Sequence, residues 1–359
     1  MDLPSYFKDF LRDIRLTETQ RDELKGGHET LRDRLTSDPL TKDFVKTTFL
    51  QGSYRRHTAV RPSADDLADV DVVVVTSIDK NSVTPQAAMK KFQPFMDKYY
   101  VGKYKFQSRS IGIEMSTIKL DLVPTSLPPQ NYVEFMESNL RDADFEVTQR
   151  GVNRSSYVAF MEAASGWKDD PLWIPDRDIR TWEETHPLAQ IYWTFEKNDR
   201  TNSHYVNVVK CLKWWRRVTK PEPKYPKSYP LEHLIGQSCP DGINSVGEGV
   251  ARSLEDISLR YLAYAQAKTT PNLRDHGVPS HNVFARDTGE DFARYHANIS
   301  EAAIISRKAL DSKDTKESAD LWRQLFGSKF PAAPDSESKK SGGYTPRTNI
   351  SELEPGRFA

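Results

Sequence analysis

Asp69-Val70-Asp71-Val72-Val73-Val74-Val75 decides the fold of this chain. An alternating acid–valine start followed by an unbroken valine run reads as a deeply buried β-strand. Side chains alternate faces along a strand, so Asp69 and Asp71 share one face while Val70 and Val72 point into the core. Two carboxylates two residues apart on one face repel each other unless a cation stands between them. Alone, the D-x-D pattern is common on surface strands and proves little. The sequence on either side gives it weight.

Upstream, residues 44–50 are β-rich and run into the turn Gln51-Gly52-Ser53. A glycine there lets backbone amides approach a phosphate, and Ser53 adds a hydroxyl at a helix start. The basic run Arg55-Arg56-His57 is expected to begin that helix. Downstream, Thr84 is a plausible N-cap with Pro85 at the first helical position, and Ala88, Phe92, Phe95 and Met96 form an apolar face. Residues 116–123 alternate as a strand, and Asp121 is a polar member of Ile118-Lys119-Leu120-Asp121-Leu122-Val123.

If those two strands are neighbours, Asp69, Asp71 and Asp121 converge. Three hard oxygen donors suit magnesium or manganese beside substrate phosphates. Such a site can run nucleotidyl transfer with two ions: one clamps the triphosphate and its leaving group, the other lowers the pKa of the attacking hydroxyl. Asp121 is expected to bind only the second ion and to help take the proton. Asp65 and Asp66 compete for the metal role but lie in a Pro-Ser-Ala loop, whereas Asp69 and Asp71 join the valine strand directly.

The remaining sequence frames this core. The first 36 residues read as helix, with capping-box spacing at Thr17-Glu18-Thr19-Gln20 and Leu24, Leu31 and Leu35 near helical period. Beyond about residue 185 the pattern is helical, with candidates at 186–198, 205–219, 230–237, 245–267, 289–312 and 318–326. Residues 331–359 are rich in Ser, Pro, Gly and charge, and are expected to be a flexible tail. The 359 residues are 37% hydrophobic and 28% charged, which suits a soluble globular protein of about two domains. Lys plus Arg equals Asp plus Glu at 51 each, so polyanion binding must come from a local patch. Two cysteines, no leader-like N-terminus and no long apolar run point to a cytoplasmic protein that neither spans nor needs a membrane.

The motifs resemble a known family. Gln51-Gly52-Ser53, Asp69-Val70-Asp71 and Lys119-Leu120-Asp121-Leu122-Val123-Pro124 look like the polymerase-β-type nucleotidyltransferase signature. Leu212-Lys213-Trp214-Trp215 and Lys227-Ser228-Tyr229-Pro230-Leu231-Glu232 are similar to the K-x-W and K-S-[FY]-x-x-E patterns of the bacterial cyclic-oligonucleotide synthases, relatives of cGAS and oligoadenylate synthase. Residues 182–187 and Val278-Pro279-Ser280-His281-Asn282 also look familial. The match spans about residues 40–330. One departure is the gap of sixteen positions from Ser53 to Asp69, longer than in the tightest versions of the motif.

The resemblance implies an α+β fold: a polymerase-β-like core of mixed β-sheet with helices, plus a C-terminal helical domain, two-lobed with a central cleft. Its parts would be an N-terminal helical segment packing on both lobes (1–36), a catalytic domain (37–184), an oligoadenylate-synthase-like helical domain (185–330) and the tail (331–359). Asp69, Asp71 and Asp121 would bind metal and act catalytically; Gly52, Ser53, Lys213 and Ser228 would hold the donor triphosphate. The implied activity joins nucleoside triphosphates (ATP, alone or with GTP) into a cyclic tri- or dinucleotide second messenger, releasing pyrophosphate, in antiphage signalling. Implied partners are a downstream cyclic-nucleotide-sensing effector and ubiquitin-like conjugation machinery acting on the C-terminus, with no nucleic-acid template.

Other residues carry less. The eight histidines lack paired metal spacing, and His57 reads equally as a phosphate contact or a surface histidine. Cys211 and Cys239 read as packing. Gly247-Glu248-Gly249 reads as a turn before a helix, not a dinucleotide loop. Trp182, Trp193, Trp214 and Trp215 are candidate base-stacking surfaces, although aromatic residues on helices are mostly core. Two rival functions follow from the same residues: a linear RNA nucleotidyltransferase of poly(A) or CCA type, and an inactive nucleotide-binding module. The neutral balance counts against the first. Against the second, no fold requirement needs three converging carboxylates.

Overall fold

A computed structural model describes residues 1–63, 66–128 and 171–334. Within them the chain runs α1 (Pro4–Ile14), α2 (Glu18–Ser37), β1 (Val45–Gln51), α3 (Gly52–Arg55), β2 (Ala68–Thr76), α4 (Pro85–Lys90), α5 (Gln93–Tyr99), β3 (Tyr104–Phe106), β4 (Ile111–Glu114), β5 (Ile118–Pro124), β6 (Leu172–Asp176) and β7 (Thr181–Thr185). Helices follow: α6 (Pro187–Arg200), α7 (Tyr205–Val218), α8 (Ser228–Ser238), α9 (Val246–Arg260), α10 (Leu262–Gln266), α11 (Gly289–Asp311) and α12 (Thr315–Phe326).

The valine strand is interior to a five-stranded sheet of order β1-β2-β5-β4-β3. Only the β2–β5 pair is parallel; every other pair is antiparallel. A strand covered on both faces explains the unbroken valine run. Val70, Val72 and Val74 lie in one core with Leu120 and Leu122 of β5, Phe92, Phe95 and Met96, and Leu24, Leu31 and Leu35 of α2. Each such side chain stabilises the fold by about 1.5–3 kcal/mol.

The N-terminal helix is broken in two. Thr17 Oγ1 accepts from the Gln20 amide at 3.1 Å, and the Gln20 side chain accepts from the Thr17 amide at 3.0 Å. This capping box starts α2 and ends any continuous helix through residue 17. The two pieces then bury against different cores. Phe7, Phe10, Leu11 and Ile14 of α1 enter the helical core with Trp215, Trp322 and Phe326, whereas α2 covers the sheet.

The helical candidates hold, with one break: the stretch expected at 245–267 divides at Tyr261 into α9 and α10. Short β3, β4, β6 and β7 were not anticipated. The β6–β7 hairpin is anchored by Asp176, wholly buried, which accepts from Arg109 Nε at 2.7 Å, Ser108 Oγ at 3.1 Å and Arg286 Nη2 at 3.1 Å. Asp176 thereby ties the hairpin, the turn before β4 and the helical lobe together. No helix is long and apolar enough to cross a membrane, among the described residues. Of the expected tail, residues 335–359 lie outside the described residues, as does Asp65.

Candidate active site

Pairing of β2 with β5 sets the geometry. In register, Asp71 is the partner of Asp121 and Asp69 the partner of Lys119. Because the strands are parallel and in step, all four side chains share a face, opposite the valine core. On the other side of β2, Gln51 is the partner of Asp71, so the chain turns at Gly52 directly against that carboxyl. Gly52 has φ +73°, and a Cβ there would stand 1.8 Å from Asp71 Oδ2. Both facts require glycine at this position.

The helix that follows is only one turn, so Arg55-Arg56-His57 ends α3 instead of beginning it. This correction relocates the basic run. His57 has φ +60°, turns away and stacks on Phe195. Arg56 is buried, and its Nε donates to Glu232 Oε2 of α8 at 3.2 Å. Lys213 Nζ of α7 donates to Glu232 Oε1 at 3.0 Å. Lys213 is therefore a buried, paired cation rather than one more solvated lysine.

A cleft of about 1080 Å³ lies between sheet and helices, lined by Gly52, Ser53, Asp69, Asp71, Lys213 and Ser228 among others. Six of the seven expected site residues thus share one cavity. The seventh, Asp121, is buried behind it, with Lys119 Nζ donating to Oδ2 at 2.8 Å. Burial, then the charges of Asp69 and Asp121, push the Asp71 carboxyl up to about 7. Asp69 keeps solvent contact at the cleft mouth. Its carboxyl is nevertheless raised, chiefly by the protein displacing water around it, with Lys213 pulling the other way and Asp121 adding to the rise. Burial opposes the charge on Glu232, yet Lys213 and Arg56 hold its carboxyl below the ordinary range.

The donor set fits hard divalent cations: three carboxylates on one face of the β2–β5 pair, two of them raised by burial first and by their neighbours' charges second. As the side chains stand, Asp121 is engaged by Lys119, and no three metal-ligating groups are gathered around one point, among the described residues. Lys119 occupies Oδ2 of Asp121, while Oδ1 is met by Ser110 Oγ at 3.5 Å.

Residues that sequence reasoning did not assign also line the cleft. Tyr229, Gln190 and Asp275 form one wall, with Tyr229 Oη donating to Asp275 Oδ2 at 2.7 Å. The Arg56 guanidinium lies 5.5 Å from the Tyr229 ring centre. Tyr229 was visible inside the K-S-[FY] pattern; Asp275 had no signal. None of Trp182, Trp193, Trp214 or Trp215 lines the cleft. Trp182 and Trp215 are buried, Trp214 donates to the Phe326 carbonyl, and Trp193 stacks on His276. Asp66 does line it, but from the loop.

Residues 1–150 match the family model described as Second Messenger Oligonucleotide or Dinucleotide Synthetase domain. A probable cyclic AMP-AMP-GMP nucleotide synthase of Salmonella paratyphi B is 43% identical over 381 aligned positions that cover 100% of both chains. A cyclic AMP-AMP-GMP synthase of Enterobacter hormaechei is 42% identical with the same coverage. Among solved structures, the E. coli MS115-1 CdnC:HORMA-deltaN complex superposes with a TM-score of 0.61 at 17% identity, covering 92% of this chain and 99% of that one.

Proposed function

The chain belongs to the bacterial cyclic-oligonucleotide synthases, and from that premise we propose that it joins ATP and GTP into a cyclic AMP-AMP-GMP trinucleotide at the cleft between sheet and helices. It is a nucleotidyltransferase that makes a second messenger. The observation that carries the site assignment is the register of β2 and β5, which sets Asp71 beside Asp121 with Gly52 pressed against Asp71.

In this reading Gly52, Ser53, Lys213 and Ser228 hold the donor triphosphate from both sides of the cleft. A lysine suits phosphate as a compact cation, and the two serines supply hydroxyl donors. Asp69, Asp71 and Asp121 would hold magnesium or manganese, which when bound neutralises developing phosphate charge and acidifies the attacking hydroxyl. A 3′-hydroxyl of the acceptor forms a bond to the donor α-phosphorus as the bond to pyrophosphate breaks. Asp121 would take the hydroxyl proton. Two additions and one ring closure consume three triphosphates and release three pyrophosphates. Tyr229, in the cleft wall with the Arg56 guanidinium 5.5 Å from its ring centre, would be the aromatic contact for a base. The ring would serve an effector in antiphage signalling.

Purified protein with magnesium or manganese and each labelled triphosphate combination tests this. Expected is a small product resistant to phosphatase, made only when ATP and GTP are both present. A ladder or a tailed RNA would instead support a linear nucleotidyltransferase.

A further inference from the structure

Ser53 and Ser228 face the cleft from opposite lobes, and each sits about one helical turn from a member of a buried ion pair. Arg56 follows Ser53 by three residues at the end of α3, and Glu232 follows Ser228 by four on α8. The Arg56 Nε to Glu232 Oε2 contact at 3.2 Å is thus a strut between the elements that carry the two serines. Lys213 takes the other oxygen at 3.0 Å. Arg56, Glu232 and Lys213 are exposed by only 6%, 4% and 9%. Two cations share this one carboxylate, and each also faces an acid of the cleft, Lys213 toward Asp69 and Arg56 toward Asp71. The Glu232 carbonyl also accepts from the buried Tyr205 hydroxyl at 3.0 Å, fixing the helix backbone at that point.

Resting on the assignment of Ser53, Lys213 and Ser228 to the donor triphosphate, we infer that Glu232 is a positioning residue. Through Arg56 it sets the spacing of the two serines, and it holds the Lys213 ammonium in place until a triphosphate takes it over. The handover leaves Arg56 and Glu232 as a balanced pair, so the strut persists while Lys213 serves the substrate. A buried carboxylate shared by two cations is well suited to this, because either cation can leave without stranding the acid.

Glu232→Gln keeps the shape and removes the charge, leaving Arg56 and Lys213 facing each other. Two readouts separate positioning from mere folding: the shift in melting temperature on adding inorganic tripolyphosphate without divalent ions, and kcat against KM for ATP from pyrophosphate release. Expected is a lower melting temperature for the free variant and a larger tripolyphosphate shift than in the wild type, since the polyanion becomes the main counter-charge. The kcat should fall by roughly tenfold or more with KM for ATP unchanged or lower. An unchanged tripolyphosphate shift with intact kcat overturns the inference. Glu232→Asp, which keeps the charge but withdraws it by one methylene, decides the matter if the Gln variant does not fold. It should keep the wild-type tripolyphosphate shift and lose kcat, and wild-type kcat there refutes the spacing role. If tripolyphosphate does not shift the wild type, and Lys213→Ala behaves identically, the triphosphate assignment itself fails and takes this inference with it.

Discussion

Gly52→Ala and Gly102→Ala form a matched pair that isolates what the site requires of its turn. Both glycines have left-handed backbones, φ +73° and φ +70°. Alanine at either position meets the same intrinsic penalty of about 1–2 kcal/mol, partly offset by reduced freedom of the unfolded chain of about 0.4–1 kcal/mol. Each should therefore lose about 1 kcal/mol of stability. They differ in what the new methyl group meets. At Gly102 nothing lies within 4 Å; at Gly52 the Cβ would stand 1.8 Å from Asp71 Oδ2 and 2.9 Å from its Cγ. The clash falls on the far end of a side chain, so Asp71 can swing clear at little cost to the fold. That swing withdraws a carboxylate oxygen by an ångström or more, and misplacement on this scale costs on the order of 10²-fold in rate. Product formation at saturating ATP and GTP, beside thermal melts in chelator, reads both quantities. Gly102→Ala should keep wild-type turnover, while Gly52→Ala should lose about 10²-fold at a similar melting temperature. Turnover in Gly52→Ala within about threefold of Gly102→Ala would refute the reasoning that Asp71 is held in place by the turn.

Three further outcomes follow. Asp71 is held up to about 7 in the fold and lies near 4 when unfolded, so the folded state binds its proton more tightly. Stability of the metal-free protein should therefore fall as pH rises between those values, by about 2–4 kcal/mol, and Asp71→Asn should flatten most of that slope in chelator melts while abolishing turnover. Lys213→Ala should reduce kcat/KM by about 10²–10³ in steady-state assays. Its stability loss should stay at about 1–2 kcal/mol, because Arg56 still neutralises Glu232. Burial works against the Asp176 charge, but Arg109 and the Ile179 amide hold its carboxyl below the usual range. Its contribution is thus present at neutral pH and lost as pH falls through that lowered value. Denaturant titration of Asp176→Asn at pH 7 should give a loss of about 2–3 kcal/mol, less than for a wholly buried pair because Arg286 is 63% exposed.

The catalytic face was legible because two periods coincide there. Alternation along residues 68–72 placed both acids on one side, and an equivalent alternation at 118–122 did the same for Asp121. That the strands are adjacent could not be read from either segment and was implied by the resemblance alone; that they are parallel was not anticipated. The helical lobe was legible because its apolar residues repeat at helical spacing. What escaped depends on partners far apart in sequence. Glu232 stood in the quoted K-S-[FY]-x-x-E pattern, but its pairing with Arg56 joins residues of both lobes, and Asp275 meets Tyr229 across 46 residues; no local pattern marks such pairs. The error over Arg55-Arg56-His57 is of the same origin. A one-turn helix has no period to detect, and its end is fixed by Arg56 reaching Glu232, 176 residues away.

The charges around the cleft also discriminate between the rival functions. The cations nearest the three acids are already engaged: Lys119 on Asp121, and Arg56 and Lys213 on Glu232. A groove built for a long nucleic acid gains most of its affinity by releasing counterions condensed on phosphate, which needs unpaired cations in a row. At these three cations an incoming anion must displace a carboxylate, so weakly charged ligands gain little there and a compact triphosphate carrying several charges gains most; Lys105 and Arg217 line the same cleft. Lys119 cannot leave Asp121 without stranding a buried acid unless another positive charge arrives there. Substrate and its accompanying divalent ions bring opposite charges in the proportion that such an exchange demands. A neutral chain with 51 residues of each sign can therefore still hold a polyanion at one place.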